Sequence, residues 1–228
     1  MSGAEGSRPA STALRAAVGA VVLAAGTSSR WGGDRSKQLH PWEGEPLVRR
    51  AVRIAIESAG DQVVVVTGHD ARAVERTLAG LAVRIVHNRD YASGQASSVR
   101  TGIAALGSLE ADVEGALFVP CDQPLLDAET LDLLIERFTR LGRERRSRAL
   151  VPAHRGRRGA PALIGSDLFG ALDALVGDEG GRRVLAAVPD RVVEVELAST
   201  DPLLDVDTLE DLRALERDHP PRATPASG

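Results

Sequence analysis

Residues able to hold a polyphosphate and a divalent cation recur at several places in the chain. The first is VVLAAGTSSRWGGDRSKQL, Val21 to Leu39, where an apolar run gives way to Gly26, Thr27, Ser28, Ser29, Arg30, Gly32, Gly33, Arg35 and Lys37. Glycines let a backbone approach an anion and turn its N–H groups inward, and arginine and lysine supply the opposing charge. The helix beyond the loop is expected to contribute its positive end. Lys37 is the chain's single lysine among 28 basic residues, so its place at the end of this loop is either chance or chemistry. The loop is neither a P-loop, since Lys37 stands between Ser36 and Gln38, nor a G-x-G-x-x-G fingerprint. By residue type alone a solvated turn fits it too.

The second place is VPCDQPLLD, where Asp122 follows an apolar run and sits between Pro120 and Pro124. Its charge must be solvated, paired or metal-bound, which makes it the leading ligand for Mg²⁺, with Mn²⁺ as the alternative ion. A turn-forming aspartate beside prolines is the plainer reading. The third, LLDVDTLEDL, offers Asp205 and Asp207, which share a side if the backbone is extended. Mg²⁺ takes one or two carboxylates and completes its shell with phosphate and water. Asp207 or Thr208 also suits a helix cap, and both roles are compatible. In NRDYASGQASSVRTGI, Gly94, Gln95, Ser97 and Ser98 offer hydrogen bonds to a base edge, with Arg100 near the phosphates, or else simply start a helix. The basic run HRGRRGAP, with Arg155, Arg157, Arg158 and Gly159, suits a phosphate-bearing acceptor or a solvated surface. Cys121 has no evident partner base and reads as a small hydrophobe. His40, His69, His87 and His154 read as structural or solvated.

These loops need elements to hold them. Short apolar runs, AVVLAA, QVVVVTG, VRIVHN and GALFVPC, are each followed by a segment with helical spacing. Continuous apolar runs suit strands buried on both faces of a largely parallel sheet. The clearest helix is DAETLDLLIERFTRL, with Leu131, Leu134, Ile135, Phe138 and Leu141 on one face and Asp127 as N-cap. Others are expected over Pro46–Ser58, Ala71–Leu78, Ala96–Leu106, Gly180–Ala187 and Thr208–Arg217. The alternation predicts a doubly wound, Rossmann-like α/β sandwich with ligands at the carboxyl ends of its strands.

Composition sets the outer limits. The chain has 228 residues, 43% hydrophobic and 26% charged, enough for one sizeable domain, expected over 15–218 between polar tails at 1–14 and 219–228. A net charge of −4 argues against a general nucleic-acid binder. One cysteine excludes a disulfide framework and points to the cytoplasm. No stretch approaches the ~20 apolar residues of a membrane span. Arg15 before AAVGAVVLAA meets part of the description of a secretory leader, but the run is short and a glycine loop follows it.

Taken in order, LAAGTSSR with Lys37, SGQASSVRTGI, PCDQPLL, GRRGAPALI, GDEGGRRVL and DVDTLEDL resemble the MobA-like nucleotidyltransferases, most closely the molybdenum cofactor cytidylyltransferases. The resemblance spans nearly the whole chain between the tails. It implies a single-domain, three-layer α/β/α fold of the nucleotide-diphospho-sugar transferase type. It also implies transfer of CMP from CTP to the terminal phosphate of molybdopterin, with release of pyrophosphate and with Mg²⁺. By the same resemblance Leu23, Ala24, Ala25 and Gly26 contact nucleotide and Arg30 and Lys37 the triphosphate. Gly94, Ser97 and Ser98 fall on the base side, and Asp122 with Asp205 and Asp207 at the metal. LAAG rather than LAGG resembles the cytidylyl branch. A delivered cofactor implies transient contact with a molybdoenzyme or its maturation chaperone. Gly159-Ala160-Pro161 stands where relatives often have Gly-His-Pro. The KQL run, and the spacing from Arg30 to Lys37, are similar to the cytidylyltransferases of isoprenoid synthesis. A sugar-transferring enzyme, matched by DVD, and a non-catalytic nucleotide-binding regulator remain as alternative readings.

Overall fold

The apolar run that opens the chain's ordered pattern is the centre of a sheet. The computed structural model describes residues 16–59, 62–109 and 112–220. The tail expected over 1–14, and residues 221–228 of the one expected over 219–228, lie outside the described residues. In chain order the elements are β1 (Val18–Ala24), β2 (Pro41–Trp42), β3 (Glu45–Pro46), α1 (Leu47–Ala59), β4 (Val63–Thr67), α2 (Ala71–Thr77), β5 (Arg84–His87), α3 (Gln95–Gly107), β6 (Gly115–Pro120), α4 (Ala128–Arg140), β7 (Ala149–His154), β8 (Arg157–Arg158), β9 (Ala162–Gly165), α5 (Phe169–Asp173), α6 (Gly181–Ala187), β10 (Val192–Glu196) and α7 (Leu209–Asp218). None of the described helices is long and apolar enough to cross a membrane.

The main sheet runs β10-β7-β9-β6-β1-β4-β5, with β8 paired to β7. All its long strands are parallel except β9, which is antiparallel to both β6 and β7. The period of two is visible in the packing. Ala20, Val22, Val63 and Val65 join one core cluster with residues of α1, α2 and α4, whereas Val21, Val64 and Val66 join another with α3, α5 and α6. Helices therefore cover both faces, giving the three-layer α/β/α sandwich that the alternation predicts. Each fully buried valine or leucine contributes about 1.5–3 kcal/mol relative to exposure, so these two faces dominate the stability. The helices fall within about a turn of the expected bounds, and Asp127 caps α4 by accepting from the Thr130 amide at 2.8 Å.

One expectation needs correction. No long helix follows the glycine loop directly: it runs into a single helical turn at Lys37–Leu39 and the β2–β3 hairpin before α1 begins. The strands after Cys121 were not foreseen. β9 is only four residues, β7 contains Pro152, and β10 is half exposed at a sheet edge, so none carries a long apolar run.

Candidate active site

After β1 the chain moves outward to β4 and β5, then returns across β1 to form β6 on its other side. Loops leaving β1 and its neighbours thus diverge, opening a crevice at the carboxyl edge. A cleft of 540 Å³ lies there, in the range of small-molecule sites, lined by Leu23–Arg30, Lys37, Asp122 and Asp207 among others.

Local chemistry fixes the glycine loop, so it is not a loose turn. Ser28 accepts from the Lys37 amide at 3.0 Å and donates to Gln38 Oε1 at 3.0 Å, while Gln38 Nε2 donates to the Gly26 carbonyl at 3.2 Å. Gln38 is buried, so these bonds form away from competing water. Ser36 hydrogen-bonds the Asp70 carboxylate, tying the loop to the turn after β4. Trp31 is buried with Trp42, Leu47, Val206 and Leu212 in a third cluster, and its carbonyl accepts from the Leu209 amide at 3.2 Å. That packing brings Arg30 beside the loop that carries Asp207. Above Gly26, a Cβ would meet nothing within 4 Å, so the backbone there faces open space.

The carboxylates come together through two further connections. Arg50 on α1 donates from Nε to the Pro124 carbonyl at 2.7 Å and so holds the loop after β6. The Val206 amide donates to the Asp122 carbonyl at 2.8 Å, joining that loop to the one before α7. Lys37 then reaches all of it: Nζ donates to Asp122 Oδ2 at 2.9 Å, to the Val206 carbonyl at 3.0 Å and, at the limit of 3.5 Å, to Asp207 Oδ1. Arg30 Nη1 pairs with Asp207 Oδ2 at 2.8 Å, but with the arginine side chain 74% exposed this pair is weak and free to exchange. Thr208, not Asp207, caps α7: it exchanges bonds with Asp211 in a capping box, which leaves the Asp207 carboxylate to the cleft.

Two carboxylates sharing one cation, with a backbone carbonyl between, form a hard oxygen set that suits a divalent ion completing its shell with phosphate and water. Among the described residues no three histidine, cysteine, aspartate or glutamate side chains gather into a metal cage. Asp205 is exposed and does not line the cleft, so only Asp207 of the DVD pair meets Asp122.

The α3 side has a different character. Gly94, Gln95 and Ser98 line the cleft, whereas Ser97 is turned to the Gly94 and Asp90 carbonyls and to Asn88. Arg100, expected near the phosphates, instead holds the Leu175 carbonyl. Arg155, Arg157 and Arg158 lie on the β7–β8 hairpin and do not line the cleft; Arg158 Nε donates to Glu194 at 2.7 Å. Gly159 packs on Leu203 and donates its amide to the Pro152 carbonyl at 3.0 Å. Since β9 is antiparallel to both β6 and β7, that hairpin still rises from the same edge of the sheet, two strands from Asp122.

Cys121 also borders the cleft, but burial, reinforced by the Asp122 charge, pushes its thiol far above the ordinary value. No histidine lines this cleft. His154 Nδ1 is bonded to the Leu197 carbonyl at 2.8 Å, and His40 stacks edge-on to Trp31. Sequence reasoning missed Gln38 and Arg50, and it quoted Asp178 within GDEGGRRVL without giving it a place in the site. The first two act through backbone carbonyls, which leave no trace in residue types. Asp178 comes from a loop far along the chain.

The MobA-like NTP transferase domain family matches residues 20–192. The chain is 27% identical over 203 residues to the molybdenum cofactor cytidylyltransferase of Escherichia coli (strain K12), covering 88% of this chain and 97% of that protein. A nucleotidyl transferase structure from Methanothermobacter superposes with a TM-score of 0.72 at 28% identity, over 89% of this chain and 96% of that one. The manganese complex of Rv0371c from Mycobacterium tuberculosis H37Rv gives a TM-score of 0.66 at 26% identity, over 87% and 97% respectively. A glycine loop and a carboxylate pair at the sheet's switch point line one cleft, and the family match extends across most of the domain: the chain is a nucleotidyltransferase that belongs to the MobA-like NTP transferase family.

Proposed function

We propose that the protein transfers CMP from CTP to the terminal phosphate of molybdopterin, with release of pyrophosphate and with Mg²⁺ as the metal. The observation that carries this reading is the Lys37 ammonium held against Asp122 and Asp207 beside the open backbone of Gly26. The cytidylyl choice and the acceptor draw their support from the Escherichia coli relative, which matches over most of its length.

The chemistry asks little of proton transfer. The attacking group is a phosphate monoester oxygen, ionised at neutral pH, so no general base is needed, in keeping with a cleft that no histidine lines. Asp122 and Asp207 would hold a divalent ion, which would supply charge neutralisation at the triphosphate. Lys37 and Arg30 bind the phosphate oxygens once their carboxylate partners are otherwise engaged, Gly26 lets the backbone lie against them, and Gly94, Gln95 and Ser98 face the nucleoside. In the same reading Arg155 and Arg157, on the hairpin at the same edge, serve the acceptor, while Arg158 stays with Glu194. The product is passed in the cytoplasm to a molybdoenzyme or its maturation chaperone.

Pyrophosphate release tests this directly, measured with Mg²⁺ and molybdenum-loaded molybdopterin against CTP, GTP and ATP. Turnover with CTP alone supports the reading, and turnover with GTP alone moves the protein to guanylyl transfer. Nucleotide binding without turnover overturns the acceptor, and an isoprenoid phosphate is the next substrate to measure.

A further inference from the structure

Asp178 is a charged cleft residue that a triphosphate site does not explain. It lines the same cavity as Lys37, Arg30 and Gly26, yet no hydrogen bond or ion pair engages its carboxylate among the described residues. Exposed on the cleft wall, this anion repels a polyphosphate and suits a ligand group that donates hydrogen bonds.

The backbone sets its position. Gly94 has φ +112° and lies so close to the Asp178 loop that a Cβ there would fall 2.2 Å from the Gly177 carbonyl carbon and 2.7 Å from the Asp178 nitrogen. The Ala96 amide donates to the Gly177 carbonyl at 3.0 Å, and the Glu179 amide to that of Val176 at 3.1 Å. A Cβ on Gly180 would lie 2.4 Å from Gln95 Oε1. Asp178 is therefore carried against the first turn of α3, where the cleft is lined by the uncharged Gly94, Gln95 and Ser98. Lys37 and Arg30 turn instead to Asp122 and Asp207.

We propose that Asp178 determines nucleoside specificity by accepting hydrogen bonds from the neutral donors of the nucleotide, its ribose hydroxyls or the exocyclic amine of its base. This rests on the nucleotidyl-transfer reading and deepens it. A carboxylate only accepts, so it discriminates against a ligand that lacks the donor.

Calorimetric titration with Mg²⁺ tests it on wild type and Asp178→Asn, using CTP, 2′,3′-dideoxy-CTP, UTP and pyrophosphate. The substitution should weaken CTP about tenfold or more while leaving pyrophosphate unchanged or tighter, since a charged hydrogen bond is lost and a repulsion relieved. If the hydroxyls are the donors, dideoxy-CTP binds wild type weakly and ignores the substitution; if the amine is, UTP does so. Equal affinity of CTP for both proteins, parallel changes for CTP and pyrophosphate, or no such loss with either analogue overturns the proposal. Wild type that binds no nucleotide at all overturns the underlying reading instead.

Discussion

Lys37 and Asp122, 85 residues apart in the chain, meet at 2.9 Å with the lysine side chain 17% exposed. An ammonium has three donors, and Asp122 Oδ2, the Val206 carbonyl and Asp207 Oδ1 are the three acceptors offered to it. Lys37 is thus the cation that gathers both carboxylate loops around the glycine loop. Lys37→Ala should lower turnover about 10²–10³-fold, the usual cost of one preorganised electrostatic contact at a reacting phosphate. The melting temperature should change by only a few degrees, because the side chain ends in the cleft and not in any of the three core clusters. Pyrophosphate release and thermal unfolding measure the two effects; a variant with normal turnover and normal stability removes Lys37 from the reaction.

Gly26→Ala separates ligand fit from folding. A methyl group there meets nothing in the protein within 4 Å, so the variant should fold with its melting temperature nearly unchanged. It would stand where the nucleotide approaches the backbone, so affinity for CTP should fall about tenfold or more, the equivalent of about 1.4 kcal/mol. Unaltered nucleotide affinity would show that the open space over Gly26 is not where the ligand lies.

Gly94→Ala should behave in the opposite way. The residue has φ +112°, and a methyl would press on the Gly177 backbone at 2.2 Å, so the start of α3 and the Asp178 loop must separate. A forced backbone of this kind costs about 1–3 kcal/mol, a fall in melting temperature on the order of 5 °C for a domain of this size. Calorimetry gives the value, and a melting temperature equal to wild type would mean that the two loops are not locked together.

How far residue types announce position depends on where the constraint lives. Val63 to Val66 and Val21 announce a doubly buried parallel strand because nothing else tolerates such a run, and the sheet follows from them. The place of Lys37 in the cleft was legible from its rarity in a glycine loop, and that of Asp122 from a charge at the end of an apolar strand. The choice between Asp205 and Asp207 was not, because two residues of an extended chain share a side whichever of them meets the cleft. Arg100 and Arg158 carry the right charge but are claimed by the Leu175 carbonyl and Glu194, contacts far away in sequence.

Cys121 lies beside Asp122 on the cleft wall, yet its thiol is raised by burial and then by the neighbouring carboxylate, so almost no thiolate forms at neutral pH. Reactive cysteines need the reverse environment. Cys121→Ala should retain turnover within about threefold, and the native protein should resist iodoacetamide at neutral pH until unfolded. Rapid alkylation of the folded chain, with loss of activity, would contradict this.

Glu114 and Arg145 close the far end of the sheet. Arg145 donates from Nε to Oε2 at 2.9 Å and from Nη2 to Oε1 at 2.8 Å, and the Ala17 amide adds a longer bond at 3.3 Å. The Arg145 hydrogen bonds hold the carboxyl below its ordinary value of 4.5 against the opposing effect of burial, with Ala17 assisting. A carboxyl depressed in the folded state binds fewer protons than in the unfolded chain, so its contribution is complete above the ordinary value. It drains away as pH falls through 4.5 toward the folded one. Glu114→Gln keeps the shape and removes the charge, so it should lower stability by about 1–3 kcal/mol at pH 7. The gap to wild type should close as the pH is lowered past 4.5, because the protonated glutamic acid and the glutamine then present the same neutral group to Arg145. Thermal unfolding of both proteins from pH 7 to pH 3 reads this gap, and one that stays constant over the range would mean that the charge of Glu114 does not stabilise the sheet's amino-terminal edge.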